Sequence, residues 1–238
     1  MTVLTPLPEA APPRLLVSVR DVAEAELACA AGADLVDAKD PARGALGALP
    51  VATVRALVER LAGRAVTSAV AGEPAPGDMA SAVRAMAATG VDYVKVALPP
   101  GCPPAPLSAA AAAAPGRLIA VLFAEDAPDA GLVPALAAAG FAGAMIDTAG
   151  KDGRRLTDLL DPARLAAFTA AARAHGLLSG LAGSLRISDI AGLARHAPGY
   201  LGFRGGLCRD GDRRRELDPR AVAEAVRTVS ALPAREAA

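Results

Sequence analysis

The chain alternates short, unbroken apolar runs with longer stretches of helix-forming residues. The runs are Leu15–Val19, Asp34–Ala38, Ala65–Val70, Val91–Ala97, Leu118–Phe123, Gly143–Thr148, Leu177–Ala182 and Tyr200–Arg204. Helices are predicted at 22–31, 50–62, 79–89, 105–114, 128–139, 161–175, 188–195 and 218–230. Asp21 stands where an N-cap belongs, and Ala31-Gly32-Ala33 closes the helix that follows. Strands that are apolar throughout suit a parallel sheet covered on both faces. Eight strand–helix units in 238 residues predict an α/β fold, a single-domain (β/α)8 TIM barrel over 14–232, with a flexible arm at 1–13 and a flexible tail at 233–238. An open doubly wound sheet would carry a glycine-rich turn after its first strand, where this chain has Ser18-Val19-Arg20-Asp21.

Composition narrows the function. Lysine plus arginine number 25 and aspartate plus glutamate number 25, so nothing draws the whole molecule to nucleic acid or an anionic membrane. The densest basic run, Arg213-Arg214-Arg215, lies beside Asp210 and Asp212 and reads as a solvated loop. Cys29, Cys102 and Cys208 are far apart and form no CxxC, as expected of reduced thiols in a cytoplasmic protein. The first residues lack the pattern of a signal peptide, and no apolar stretch is predicted to span a membrane. No HExxH, Walker loop or cluster of metal ligands appears.

The lysines carry the chemical signal. Of the 25 basic residues 22 are arginine, and the three lysines are Lys39, Lys95 and Lys151. They fall at or just past the ends of predicted strands 2, 4 and 6, where a barrel keeps its catalytic groups. Alternate strands feed one interior layer, so the three are expected to converge. Arginine stays protonated, whereas a buried lysine can lose its proton and attack a carbonyl. Asp37 shares a strand face with Lys39, and Asp147 ends strand 6 close to Lys151. Each carboxylate is a candidate proton carrier or a partner that keeps a lysine charged, and Asp147 with Lys151 is the expected pair.

Phosphate is the expected anion. Loops after strands 7 and 8 often bind it in barrels, and here they read Gly183-Ser184-Leu185-Arg186 and Arg204-Gly205-Gly206. Glycines let amide groups approach an anion closely. Gly183, Ser184, Gly205 and Gly206 are therefore the candidate cradle, with Arg186 and Arg204 as candidate cations. The residues alone leave open a Schiff-base phosphosugar aldolase or lyase and a non-catalytic phosphometabolite-binding barrel. The partner in each case is a small molecule, and a homo-oligomer is left open.

LLVSVRDVAEAELACAAGADLVDAKDP, DYVKV, AMIDTAGKDG, LAGSLR and GFRGG together resemble the (5-formylfuran-3-yl)methyl phosphate synthase family of methanofuran biosynthesis, over about residues 15 to 215. The resemblance implies a carbon–oxygen lyase that condenses two glyceraldehyde 3-phosphate molecules into a furan, losing water and one phosphate. It assigns the Schiff base to Lys39, further active-site roles to Lys95, Asp147 and Lys151, and no cofactor. The alanine- and arginine-rich composition points to a GC-rich bacterial genome, hence to methylotrophic formaldehyde oxidation.

Overall fold

The apolar runs become eight parallel strands because each is buried on both faces. In the computed structural model, which describes residues 11–150 and 153–233, the strands are β1 (Arg14–Val19), β2 (Leu35–Ala38), β3 (Val66–Val70), β4 (Tyr93–Ala97), β5 (Leu118–Phe123), β6 (Gly143–Asp147), β7 (Leu178–Ala182) and β8 (Tyr200–Phe203). They pair in chain order, and β8 returns to β1 in parallel register, with Arg14 opposite Tyr200 and Val17 opposite Phe203. The sheet is a closed barrel, as the sequence predicts.

The helices are α1 (Val22–Ala31), α2 (Val51–Leu61), α3 (Met79–Ala87), α4 (Pro104–Ala113), α5 (Val133–Ala138), α6 (Leu156–Leu159), α7 (Pro162–Ala174), α8 (Ile190–Ala194) and α9 (Pro219–Ser230). Asp21 caps α1 by accepting from the Glu24 amide, and Gly32 ends it at φ 95°. Two predicted helices are shorter than expected. Tight turns at Ala130–Leu132 and Ile187–Asp189 take the first residues of the stretches that continue as α5 and α8. The short helix α6 has no counterpart among the predicted elements. Of the predicted arm and tail, only Ala11, Pro12, Pro13 and Pro233 lie within the described residues, and Pro13 is buried.

Strand alternation divides the core in two. Outward residues such as Val17, Val36, Val94 and Ile146 pack with the helices in one continuous layer. Inward residues fill the barrel, and Leu35, Val66, Tyr93, Ile119, Leu178 and Tyr200 form its floor at the strand beginnings. One step of two residues further along, the interior turns polar. Asp37 follows Leu35, Ser68 follows Val66 and Lys95 follows Tyr93. An apolar floor beneath a polar upper layer is what places the chemistry at the C-terminal ends of the strands.

Candidate active site

Two lysine–carboxylate pairs occupy that upper layer. Lys95, from the middle of β4, is 2% exposed and its Nζ lies 2.8 Å from Oδ1 of Asp37, which is 1% exposed. The Ser68 hydroxyl donates to the same oxygen at 2.6 Å, and the Ser18 hydroxyl donates to Oδ2 at 3.0 Å. Three donors from β1, β3 and β4 thus converge on one carboxylate of β2. Lys39, just beyond β2, sits higher, and its Nζ lies 3.3 Å from Oδ2 of Asp147 at the end of β6. The Thr148 amide donates to the other Asp147 oxygen at 2.8 Å.

Asp147 reaches across the barrel to Lys39; Lys151, its expected partner, lies outside the described residues. Asp37 turns from Lys39 to Lys95, because Lys39 has passed the strand end and Lys95 lies at Asp37's own depth. Burial lowers the Lys95 pKa below its usual value; Asp37 opposes that shift, and the neighbouring Lys39 charge adds to it.

All four side chains line one cavity of about 620 Å³, which opens at the strand ends. The β7 and β8 loops form one wall, and glycine is required there for room. A Cβ on Gly183 would stand 2.6 Å from Thr148 Cγ2, and one on Gly206 only 2.2 Å from the Leu185 carbonyl oxygen. Gly183 takes φ 117° and Ser184 φ 49°, a left-handed pair that turns the chain sharply after β7. Gly205 and Gly206 open a short helical turn, Gly205–Leu207, whose first amides have no carbonyl behind them within the helix.

The cations are placed less simply. Arg204 follows β8 but is buried and turned away. Its guanidinium forms an ion pair with Glu24 of α1 and donates to the carbonyls of Ser18 (3.1 Å), Arg213 (3.0 Å) and Arg215 (2.9 Å). That guanidinium has five N–H donors, and these contacts engage them. The expected phosphate role of Arg204 is corrected accordingly: it organises the loop after β8. Arg186 is exposed at the rim, its amide capped by Asp189 at 2.8 Å.

Sequence reasoning missed four residues here. Ser18 and Ser68 look like ordinary strand residues until Asp37 is seen between them. Arg155 borders the cavity from the β6 loop and is tied to Asp189 at 2.9 Å. Arg213, read as part of a solvated run, is half-buried and faces the cavity. Its place in the loop after β8 was the available signal. Glu125 accepts from the Ala149 and Gly150 amides at 2.9 and 2.7 Å and so anchors the β6 loop. Among the described residues no three His, Cys, Asp or Glu side chains gather as a metal site, and no helix is long and apolar enough to cross a membrane.

Among solved structures the barrel resembles phosphoribosyl anthranilate isomerase from Thermus thermophilus, with a TM-score of 0.67 at 16% identity over 91% of this chain and 98% of that one. It also resembles 3-hexulose-6-phosphate synthase from Salmonella typhimurium, with a TM-score of 0.64 at 16% identity over 91% and 99%. These likenesses concern the fold. In sequence, a Methylorubrum extorquens protein provisionally assigned as a (5-formylfuran-3-yl)methyl phosphate synthase is 59% identical over 95% of each chain. The (5-formylfuran-3-yl)methyl phosphate synthase of Methanopyrus kandleri is 36% identical over 85% of this chain and 92% of its own. The family model described as 4-HFC-P synthase matches residues 15–226, which hold both lysine–carboxylate pairs and the two glycine loops; the chain belongs to that family.

Proposed function

We propose that this protein condenses two molecules of glyceraldehyde 3-phosphate into (5-formylfuran-3-yl)methyl phosphate through an imine on Lys39, a step of methanofuran biosynthesis. The observation that supports the reading most is the gathering of two lysine–carboxylate pairs, Lys39–Asp147 and Lys95–Asp37, in one cavity of about 620 Å³ bordered by two glycine loops. Two triose phosphates become one furan phosphate with release of one phosphate and two waters. Carbon, phosphorus and oxidation level then balance with no oxidant or reductant.

Lys39 is the better placed nucleophile. It stands at the cavity mouth, whereas Lys95 is enclosed and held by Asp37. Attack of the Lys39 amine on an aldehyde expels water and forms the imine. The iminium draws electrons from the adjacent carbon, so a proton can leave to Asp147, 3.3 Å from the Lys39 nitrogen. Bond formation to the second triose phosphate, loss of phosphate and water, and ring closure follow, and hydrolysis frees Lys39. Lys95, with its depressed pKa, serves as a charge or proton partner beneath the reacting carbons. Lys151 is assigned, with Asp147, to proton transfer after the imine forms. The glycine loops at Gly183-Ser184 and Gly205-Gly206 offer backbone donors to one phosphate.

Incubation with glyceraldehyde 3-phosphate alone tests the reading. A furan chromophore and the product mass should appear, and borohydride should trap one triose phosphate on Lys39. Lys39→Arg keeps a cation beside Asp147 but cannot form an imine, so it should abolish both adduct and product. An adduct that persists in Lys39→Arg moves the nucleophile to another lysine. Trapping without furan marks an aldolase, and no covalent mass at all marks a binding protein.

A further inference from the structure

Two phosphorylated substrates bring two phosphates, and one pair of glycine loops accommodates one. Four arginines border the cavity: Arg155, Arg186, Arg204 and Arg213. Arg204 is engaged with Glu24 and three carbonyls, and Arg155 with Asp158 and Asp189. Arg186 is exposed, where water and salt weaken its hold on an anion.

Arg213 differs from all three. It is half-buried, and the one hydrogen bond of its guanidinium among the described residues runs from Nη2 to the Gly44 carbonyl at 2.9 Å. The acids of its own loop are engaged elsewhere: Asp210 pairs with Arg215, and Asp212 accepts from the Arg214 amide at 2.9 Å. Arg213 therefore carries a partly desolvated charge with donors to spare, and it faces the cavity.

Its surroundings are fixed. The Gly44 carbonyl belongs to the loop after β2, which is pinned by the Asp40 amide donating to the Gly47 carbonyl at 2.8 Å. A Cβ on Gly205 would lie 3.5 Å from Arg213 Cβ, so the residue flanks the glycine loop. The Arg213 carbonyl accepts from Arg204 Nε at 3.0 Å, which holds its backbone. Arg213 thus spans from the β8 loop to the β2 loop, and Asp147 is the carboxylate whose charge acts on it most strongly.

We propose that Arg213 holds the phosphate of the second triose phosphate and thereby makes the site selective for two phosphorylated substrates. The inference rests on the two-substrate reading above, but the anion site it predicts can be measured without turnover. A planar guanidinium with free donors suits a phosphate dianion, and the partly dry position strengthens each charge-assisted bond.

Titration with inorganic phosphate, followed by calorimetry, should count two ions per chain in the wild type and one in Arg213→Met. Arg213→Lys should restore the second with weaker affinity. In steady state, Arg213→Met should raise the apparent KM for glyceraldehyde 3-phosphate about 10- to 100-fold, the worth of hydrogen bonds to a charged group. Borohydride trapping of unphosphorylated glyceraldehyde on Lys39 should not change. Two phosphates bound equally well by wild type and Arg213→Met, or an unaltered KM, would overturn the proposal. A loss of the second phosphate site in a protein whose wild type makes no furan would keep the anion site and discard the synthase reading.

Discussion

Lys95 and Asp37 form an ion pair of 2.8 Å in a place that solvent does not reach. Such a pair is held less by attraction than by the cost of breaking it. Removing one partner leaves a buried charge, at about 3–5 kcal/mol. Lys95→Met should destabilise the fold by that order, moderated by the two serine hydroxyls that remain on Asp37. Asp37→Asn with Lys95→Met should cost less than the two single changes together, because no lone charge is left. Denaturant unfolding of the three variants decides it, and additivity would deny the coupling.

Asp147 lies nearer the cavity mouth, where Lys39 and the Thr148 amide are among its partners. An asparagine keeps one acceptor oxygen, which can serve the Thr148 amide, and the Lys39 ammonium can turn towards the water of the cavity. Asp147→Asn should therefore leave the melting temperature nearly unaltered while lowering turnover on the order of 10²–10⁴, the usual worth of a positioned acid or base. Imine trapping at Lys39 should survive in the same sample. A destabilised variant with near-normal turnover would remove Asp147 from the chemistry.

The β8 loop separates two neighbouring glycines. A Cβ on Gly206 would meet backbone, the Leu185 carbonyl oxygen at 2.2 Å, whereas on Gly205 the nearest atom is 3.4 Å away. Gly206→Ala should lower the melting temperature clearly and weaken phosphate binding, because the β7 and β8 loops must part. Gly205→Ala should change melting little. Thermal scans with and without inorganic phosphate make the comparison, and equal effects would contradict it.

Burial pushes the Cys208 thiol up to about 11, with the Arg204 charge opposing the shift only in part. The protonated form is the one the fold favours. Cys208 in the native protein should therefore resist iodoacetamide at pH 8 and react at once on unfolding. The linkage has a definite sign: a thiol whose folded pKa is raised stabilises below its unfolded value and loses that contribution as pH rises towards 11. Stability should fall between about pH 9 and 11, and by less in Cys208→Ala. Rapid alkylation of the folded protein at pH 8 would refute the burial argument.

The barrel was legible because its signal repeats. Eight apolar runs separated by helix formers admit few parallel topologies, and the scarcity of lysine made Lys39 conspicuous just past β2 and Lys95 conspicuous within an otherwise apolar β4. The pairing was not legible. Which carboxylate meets which lysine depends on depth within the barrel and on register between strands, as in Asp37 opposite Ser68 and Ser18. Ser18 and Ser68 carry no mark in the sequence, since a serine in a strand is common. Arg204 and Arg213 misled in opposite directions for one reason. A loop's backbone path decides which guanidinium points inward, and composition does not contain that path.

The bond between Arg204 and Glu24 joins residues 180 positions apart, the first helix to the loop after the last strand. During translation Glu24 emerges early and must wait, solvated, until nearly the whole polypeptide has left the ribosome. The same guanidinium donates to the Arg213 and Ser18 carbonyls, so the first strand, the first helix and the loop after the last strand are fastened at one point. The wall of the cavity that holds Arg213 is therefore assembled from both ends of the polypeptide, and a chain cut short before β8 lacks it.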